Sequence, residues 1–522
     1  MVDARRDSAD RAAQQVWRIA NWRISKSVNS PQPTTRNPQL ATVGILLLAL
    51  LVRAVWLMRF PTNPIAPVDA EGFHLLAVNV LTGRGLAIGW EAPFCPTAVR
   101  TPLYPLFIAG IYAIVGQDPV RILPLQLLLE VLTTALVIRL GRDLGGKRIG
   151  VWAGVLYAFN GTTQRYTGYL LSETLLLPLL TAALWMTTRY LRHPSARKAA
   201  GDGLLWGLAL LTKPNVQFLA LLVGILAFSL QQSALSKQLS ASTATHSPSH
   251  FSFQISNFSI LFFWLALSLT LLPWLARNRI AFGRWMLSTA FEENLARVSA
   301  VATLAEIEGV RIEPWTETWE YYYNNLVAGA DAVTLSGTHT PQHDPCVEEQ
   351  QRQTAVARAA FELVSAHPLI YLRAHLRGVL TSLRDPGHRL WYHVLTGREW
   401  ESTGVVADIG ARMAWSLERG ALGDALHALW TERITRPPLL AALLWWGLSA
   451  ARVAMWWMCA RGVWRLRHQL WVLLTLTSSI AYILLLPGPI AHDRFYLPAI
   501  PVVVVLLALG GSGEHGQRLA QA

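Results

Sequence analysis

The sequence predicts an all-α polytopic membrane protein, and three observations carry that reading. Of its 522 residues 52% are hydrophobic and mean hydropathy is +0.32, more apolar than a soluble globular core requires. Its apolar runs approach the roughly 20 residues a helix needs to cross the hydrocarbon layer. Basic residues cluster at alternate ends of those runs, as the positive-inside rule demands. The formal charge of +13 therefore faces anionic lipid headgroups, and with no continuous basic stripe nucleic acid is excluded as a partner.

Residues 1–40 are polar and Arg-rich and carry Pro31, Pro33 and Pro38, so they read as a cytoplasmic tail, disordered by composition. The run 41–59 lacks the short core and small-residue site of a cleaved signal and is the first span, leading outward. Leu103 to Gly116 is apolar but too short to cross, which suits an interfacial helix. The second span, 121–140, then runs inward to Arg139, Arg142, Lys147 and Arg148. The third, 149–166, returns outward to Arg165, and the fourth, 173–191, ends inside at Arg189 and Arg192. The stretch 203–230 is too long for one span and is broken at Thr212-Lys213-Pro214-Asn215, giving two short segments whose outer ends meet. Residues 231–257, rich in Ser, Gln and Thr, read as a low-complexity cytoplasmic insertion. The seventh span, 260–275, ends near Pro273-Trp274 and is followed by Arg277 and Asn278. From 276 to 436 sustained hydrophobicity is lost, and an extracytoplasmic, mostly helical domain is expected, with helices near 347–367 and 406–430. The C-terminal segment, 437–522, supplies three more spans, 438–459, 470–486 and 496–510, for a total of ten with both termini inside.

The polar groups most in need of a task lie between Asp69 and Pro105. Asp69 and Glu71 open this stretch, His74 follows one turn on, and Arg100 stands just before Thr101-Pro102-Leu103-Tyr104-Pro105. Asp69 also suits an N-cap of a helix over 71–81, and Gly83-Arg84-Gly85 suits its stop. Lys213 at a helix break is costly in lipid and belongs beside a polar cavity or an anion, unless it snorkels to the interface. The alternation of spans puts Asp69, Glu71, Arg100, Arg165, Glu173, Lys213, Arg277, Asn278 and Arg494 at one membrane face. Cations gathered on the outer side, against the usual bias, imply a local anion.

The 69–105 stretch resembles the first outward loop of the polyprenyl-phosphate-sugar-dependent glycosyltransferases of the GT-C fold, a group that includes protein O-mannosyltransferases and the lipid A aminoarabinose transferase. LGRDLGGKRIGVWAGVLYA, YLLSETLLLPLL, GLALLTKPN, LLPWLARNRIAFG and HDRFYLPAIPVVVVLL extend the resemblance in order along the chain. It implies a GT-C-like bundle of about ten transmembrane helices, with a membrane module over 41–275, interfacial helices in a catalytic loop at 60–120, and the outward domain at 276–436. It further implies transfer of a sugar from a polyprenyl-phosphate donor to a lipid, glycan or protein acceptor at the outer face of the plasma membrane.

The chemistry agrees with the residues. A hydrolase needs a carboxylic acid to protonate its leaving oxygen, whereas a phosphate leaves as an anion and cations replace that acid. One carboxylate remains to take the proton of the attacking hydroxyl in an inverting single displacement. Asp69 matches the acidic position that opens the loop in the resembling families, with Glu71 as assistant. The adjacent acidic pair of the O-mannosyltransferases is replaced here by Asp-Ala-Glu. Arg100, Lys213, Arg494 and Arg277 are expected to hold the donor phosphate, while His74, Tyr104, Arg165, Glu173 and Asn278 line the pocket. No cofactor is expected; a divalent metal is possible in such enzymes but is not favoured, since the cations neutralise the phosphate themselves.

His339 and His343 with Asp344 and Cys346 match no strong metal spacing. Cys95 and Cys346 both fall outside the membrane, where one bridge is possible, and two unpaired thiols is the simpler expectation. A transporter or lipid flippase is the competing reading, but it predicts two similar halves and the spans show none.

Overall fold

The computed structural model describes residues 38–244, 259–310, 316–335, 344–384, 387–398, 413, 416–417, 419–490 and 493–512. The expected tail up to residue 37, residues 245–258 of the insertion, and His339 and His343 lie outside the described residues. The chain divides into residues 1–44 and a larger unit, 45–522.

Helix α1 (Pro38–Arg59) is the first apolar run. Helices α2 (Val68–Leu81) and α3 (Leu103–Val115) flank a loop with a short antiparallel pair, β1 (Ala87–Ile88) and β2 (Cys95–Pro96). There follow α4 (Leu123–Gly145), α5 (Lys147–Ala158), α6 (Gly161–Tyr166), α7 (Glu173–Arg192), α8 (Ala196–Thr212), α9 (Gln217–Ala244) and α10 (Ser259–Phe282). The next stretch holds α11 (Ala290–Asn294), α12 (Val301–Ile307), α13 (Glu317–Leu335), α14 (Pro345–Ala366), α15 (Pro368–Arg384), α16 (His388–Thr396) and α17 (Leu422–Trp430). Helices α18 (Leu439–Arg465), α19 (Leu470–Leu485) and α20 (Ile500–Gly511) close the chain, the last entered through the tight turns Asp493–Ala499.

The protein is thus all-α and multi-pass. Helices occupy all ten segments read as spans. Among the described residues six are long and apolar enough to cross a membrane: Gln39–Arg59, Pro119–Gly145, Pro214–Ser233, Ser259–Phe282, Leu439–Arg465 and Asp493–Gly511. Small residues let helices approach closely. A Cβ on Gly203 would lie 2.1 Å from the Phe263 carbonyl oxygen, so α8 and α10 meet almost backbone to backbone.

Several boundaries differ from the sequence reading. The third segment is two helices, because Asn160 caps α6 by accepting the Thr163 amide at 3.0 Å. The carbonyls of Tyr157 and Ala158, freed by that break, accept from Arg53, which also pairs with Glu130 at 3.3 Å. Arg53 was hidden in an apolar run; it is 0% exposed and Glu130 is 1% exposed. Helix α9 continues through 231–244, where an insertion was expected. Helix α10 runs through Pro273, so Arg277 and Asn278 sit on its last turns rather than beyond them. Cys95 and Cys346 are bridged, correcting the simpler expectation and tying β2 to α14.

Breaking a buried ion pair on one side strands the other charge. Arg53→Met is expected to lower stability by about 3–5 kcal/mol, and adding Glu130→Leu to recover most of it, as read by thermal unfolding in detergent. A double variant no more stable than the single one would refute the pairing account.

Candidate active site

One apolar cluster sets the site. Phe73 of α2, Tyr104 and Ile108 of α3, Tyr166 of α6, Leu177 of α7 and Leu497 ahead of α20 are buried together. Asp69, Glu173 and Arg494 each precede one of these residues by about a helical turn, so burying the apolar set brings the three charges to one place.

There they form a continuous chain. Arg100 Nη2 donates to Asp69 Oδ1 at 3.0 Å, and Arg494 Nη1 donates to Asp69 Oδ2 at 2.7 Å. Arg494 also grips Glu173 through Nε at 2.6 Å and Nη2 at 3.3 Å. Lys213 Nζ completes the row on Glu173 Oε1 at 2.7 Å. Lys213 reaches it because α8 ends at Thr212 and its own backbone is extended before Pro214.

The two carboxylates differ in setting. The Glu173 side chain is 2% exposed and anchors the row, whereas Asp69 is 48% exposed and faces outward. Burial alone would raise the Asp69 pKa, but Arg494, Arg100 and Lys213 outweigh it and hold the carboxyl below its usual range. Three cations against two carboxylates leave one positive charge in excess. Among the described residues Arg100 and Lys213 each make one hydrogen bond through the side chain, so further donors on both are uncommitted.

The other expected residues divide around this row. Of the two readings of Asp69, the helix cap does not hold: α2 begins at Val68, and the carboxylate turns to the two arginines instead. Glu71 is exposed and stands outside the row. His74 Nδ1 pairs with the Tyr112 hydroxyl at 2.7 Å, and burial pushes its pKa down against the pull of Glu71. Tyr104 is fully buried and donates to Gln126 at 2.7 Å. Arg165 lies 4.0 Å from Asp493, whose other carboxylate oxygen accepts from Tyr166 at 2.6 Å. Arg277 is not brought into the row. It clamps the 86–97 loop by donating to the carbonyls of Leu86 at 3.0 Å and Thr97 at 2.9 Å, and to the buried Asn278.

Asp493 and Tyr166 were missed by sequence reasoning, although each adjoins a residue it selected. Among the described residues no group of three His, Cys, Asp or Glu side chains is arranged to hold a metal. A cavity of 1040 Å³ lies elsewhere, between α13 and α14, and its lining includes none of the row.

Residues 99–252 match the family described as dolichyl-phosphate-mannose-protein mannosyltransferase, which bears out the resemblance seen in the sequence. The matched stretch holds Arg100, Arg165, Glu173 and Lys213, with Asp69 and Arg494 outside it. No curated protein matches. Among solved structures, the archaeal oligosaccharyltransferase AglB from Archaeoglobus fulgidus, in complex with an inhibitory peptide and a dolichol-phosphate, is 13% identical over 90% of this chain and 50% of that one, with a TM-score of 0.42. The arabinosyltransferase EmbB from Mycobacterium smegmatis is 15% identical over 83% and 43%, with a TM-score of 0.36. This chain spans about half the length of these structures.

Arg494 is the shared partner of both carboxylates. Arg494→Ala is expected to destabilise the protein by about 3 kcal/mol, because Glu173 stays buried with Lys213 alone. Arg100→Ala, at the exposed end, should cost under about 1 kcal/mol. Equal losses in thermal melts would contradict this ranking.

Proposed function

We propose that the protein is an integral membrane glycosyltransferase that moves a sugar from a polyprenyl-phosphate donor to a hydroxyl of a lipid, glycan or protein acceptor. The observation that carries this is the excess positive charge beside an ionised, half-exposed Asp69. A sugar phosphodiester carries one negative charge and matches that excess. The uncommitted donors of Arg100 and Lys213 suit its oxygens.

The acceptor oxygen attacks the anomeric carbon as the bond to the phosphate oxygen breaks, and the electron pair leaves with the phosphate. Arg100, Arg494 and Lys213 stabilise that departing charge. Asp69 takes the acceptor's proton as the C–O bond forms. A carboxylate held this acidic is a weak base in the ground state, and it works because the attacking oxygen becomes strongly acidic in transit. The displacement inverts the anomeric centre. Glu71, exposed outside the row, is left to orient the acceptor, while Tyr104 and the Arg277–Asn278 clamp act from behind by fixing α3 and the 86–97 loop.

The row supplies the charge a divalent ion would bring, since both Asp69 and Glu173 already hold two cations each. We place the site on the extracytoplasmic face of the plasma membrane, which the Cys95–Cys346 bridge supports because disulfides persist in oxidising compartments. The family match does not favour a transporter or flippase.

Transfer of label from a polyprenyl-phosphate sugar to membrane acceptors tests the reading. Asp69→Asn is expected to lower the rate by about 10²- to 10⁴-fold, and Lys213→Ala to raise the donor KM. Unchanged transfer by both Asp69→Asn and Arg100→Ala would remove the site. EDTA is expected to leave the wild-type rate unaltered; a rate restored only by added metal would overturn the metal-free scheme.

A further inference from the structure

The Arg100 guanidinium lies flat across α2 at Gly72. A Cβ placed there would come within 2.7 Å of Arg100 Cζ, 2.7 Å of Nη2 and 2.8 Å of Nη1. The same guanidinium sits 5.1 Å from the centroid of the Phe73 ring, which meets Tyr104 edge-on at 4.9 Å in the apolar cluster. Arg100 is thus held from three sides: Asp69 at one edge, Phe73 beneath, and the bare backbone of Gly72 between them. Glycine is a poor helix former. Here it stands one turn inside a helix, at a position with no positive φ to demand it.

We infer that Gly72 is a positioning residue for anion recognition: its missing side chain is the seat that lets Arg100 lie against Asp69 and keep its remaining donors for a phosphate. The inference rests on the proposed donor reading and adds to it a residue that touches neither substrate nor reacting atoms. A larger side chain at 72 pushes the guanidinium off the helix, parting it from Asp69.

A double-mutant cycle tests the seat without any donor. Gly72→Ala and Arg100→Ala are made singly and together in the full-length protein, and thermal unfolding is followed in detergent. With Arg100 present, the methyl group collides and Gly72→Ala gives no gain in Tm or a loss; in the Arg100→Ala background the same change raises Tm, because alanine is the better helix former. Equal shifts in both backgrounds overturn the inference.

Binding of farnesyl phosphate, a short polyprenyl phosphate, then reads the consequence. Gly72→Ala is expected to weaken it about tenfold, as Arg100→Ala does, with no further loss in the double variant. Arg100→Lys combined with Gly72→Ala should recover part of the loss, since an ammonium lacks the planar fork that the methyl group strikes. Wild-type affinity in Gly72→Ala, or additive losses in the double variant, sinks the proposal. A coupled stability cycle with no farnesyl phosphate binding by the wild type would instead overturn the donor reading and confine Gly72 to seating Arg100.

Discussion

The buried carboxylate of Glu173 is the constraint from which the rest follows. An ionised group with 2% exposure costs several kcal/mol unless it is paired and hydrogen-bonded. Lys213 and Arg494 meet that requirement from two distant segments, the break after α8 and the turns ahead of α20. Arg494 has further donors, and these draw in Asp69, which in turn holds Arg100. Each partner settles one residue and leaves a demand on the next, so the row runs from a sealed anchor to a half-open end.

The apolar cluster beneath explains why such a row can form at all. Phe73, Tyr104, Leu177 and Leu497 supply the burial energy, and the charged residues ride on the same short turns. Around the rim, Arg277 ties the first loop to α10, while Ser288 and Thr289 bond the backbone of Val99 and Ala98. The loop that presents Arg100 is therefore fixed from both sides, and the disulfide at Cys95 adds a covalent tie to α14.

Much of this was legible in the sequence. Apolar runs and basic clusters gave the order of the helices, and Lys213 beside Pro214 announced a polar group with a task. Arg53 did not announce itself, because a lone cation in an apolar run has no visible partner until Glu130 and the broken α5–α6 turn are folded against it. Asp69 was ambiguous for a related reason: a carboxylate near a helix start satisfies a cap and an ion pair equally well on paper. The extent of α10 was misread because Pro273 signals a break by itself, whereas the helix runs on past it. Gly72 carries no sequence signal, since a glycine acquires meaning only from what lies across it.

The bond between Arg494 and Asp69 joins positions 425 apart. In synthesis the last cation therefore follows the first carboxylate by 425 residues, and the row closes only once Arg494 has emerged. The row is thus completed late relative to Asp69, its earliest member.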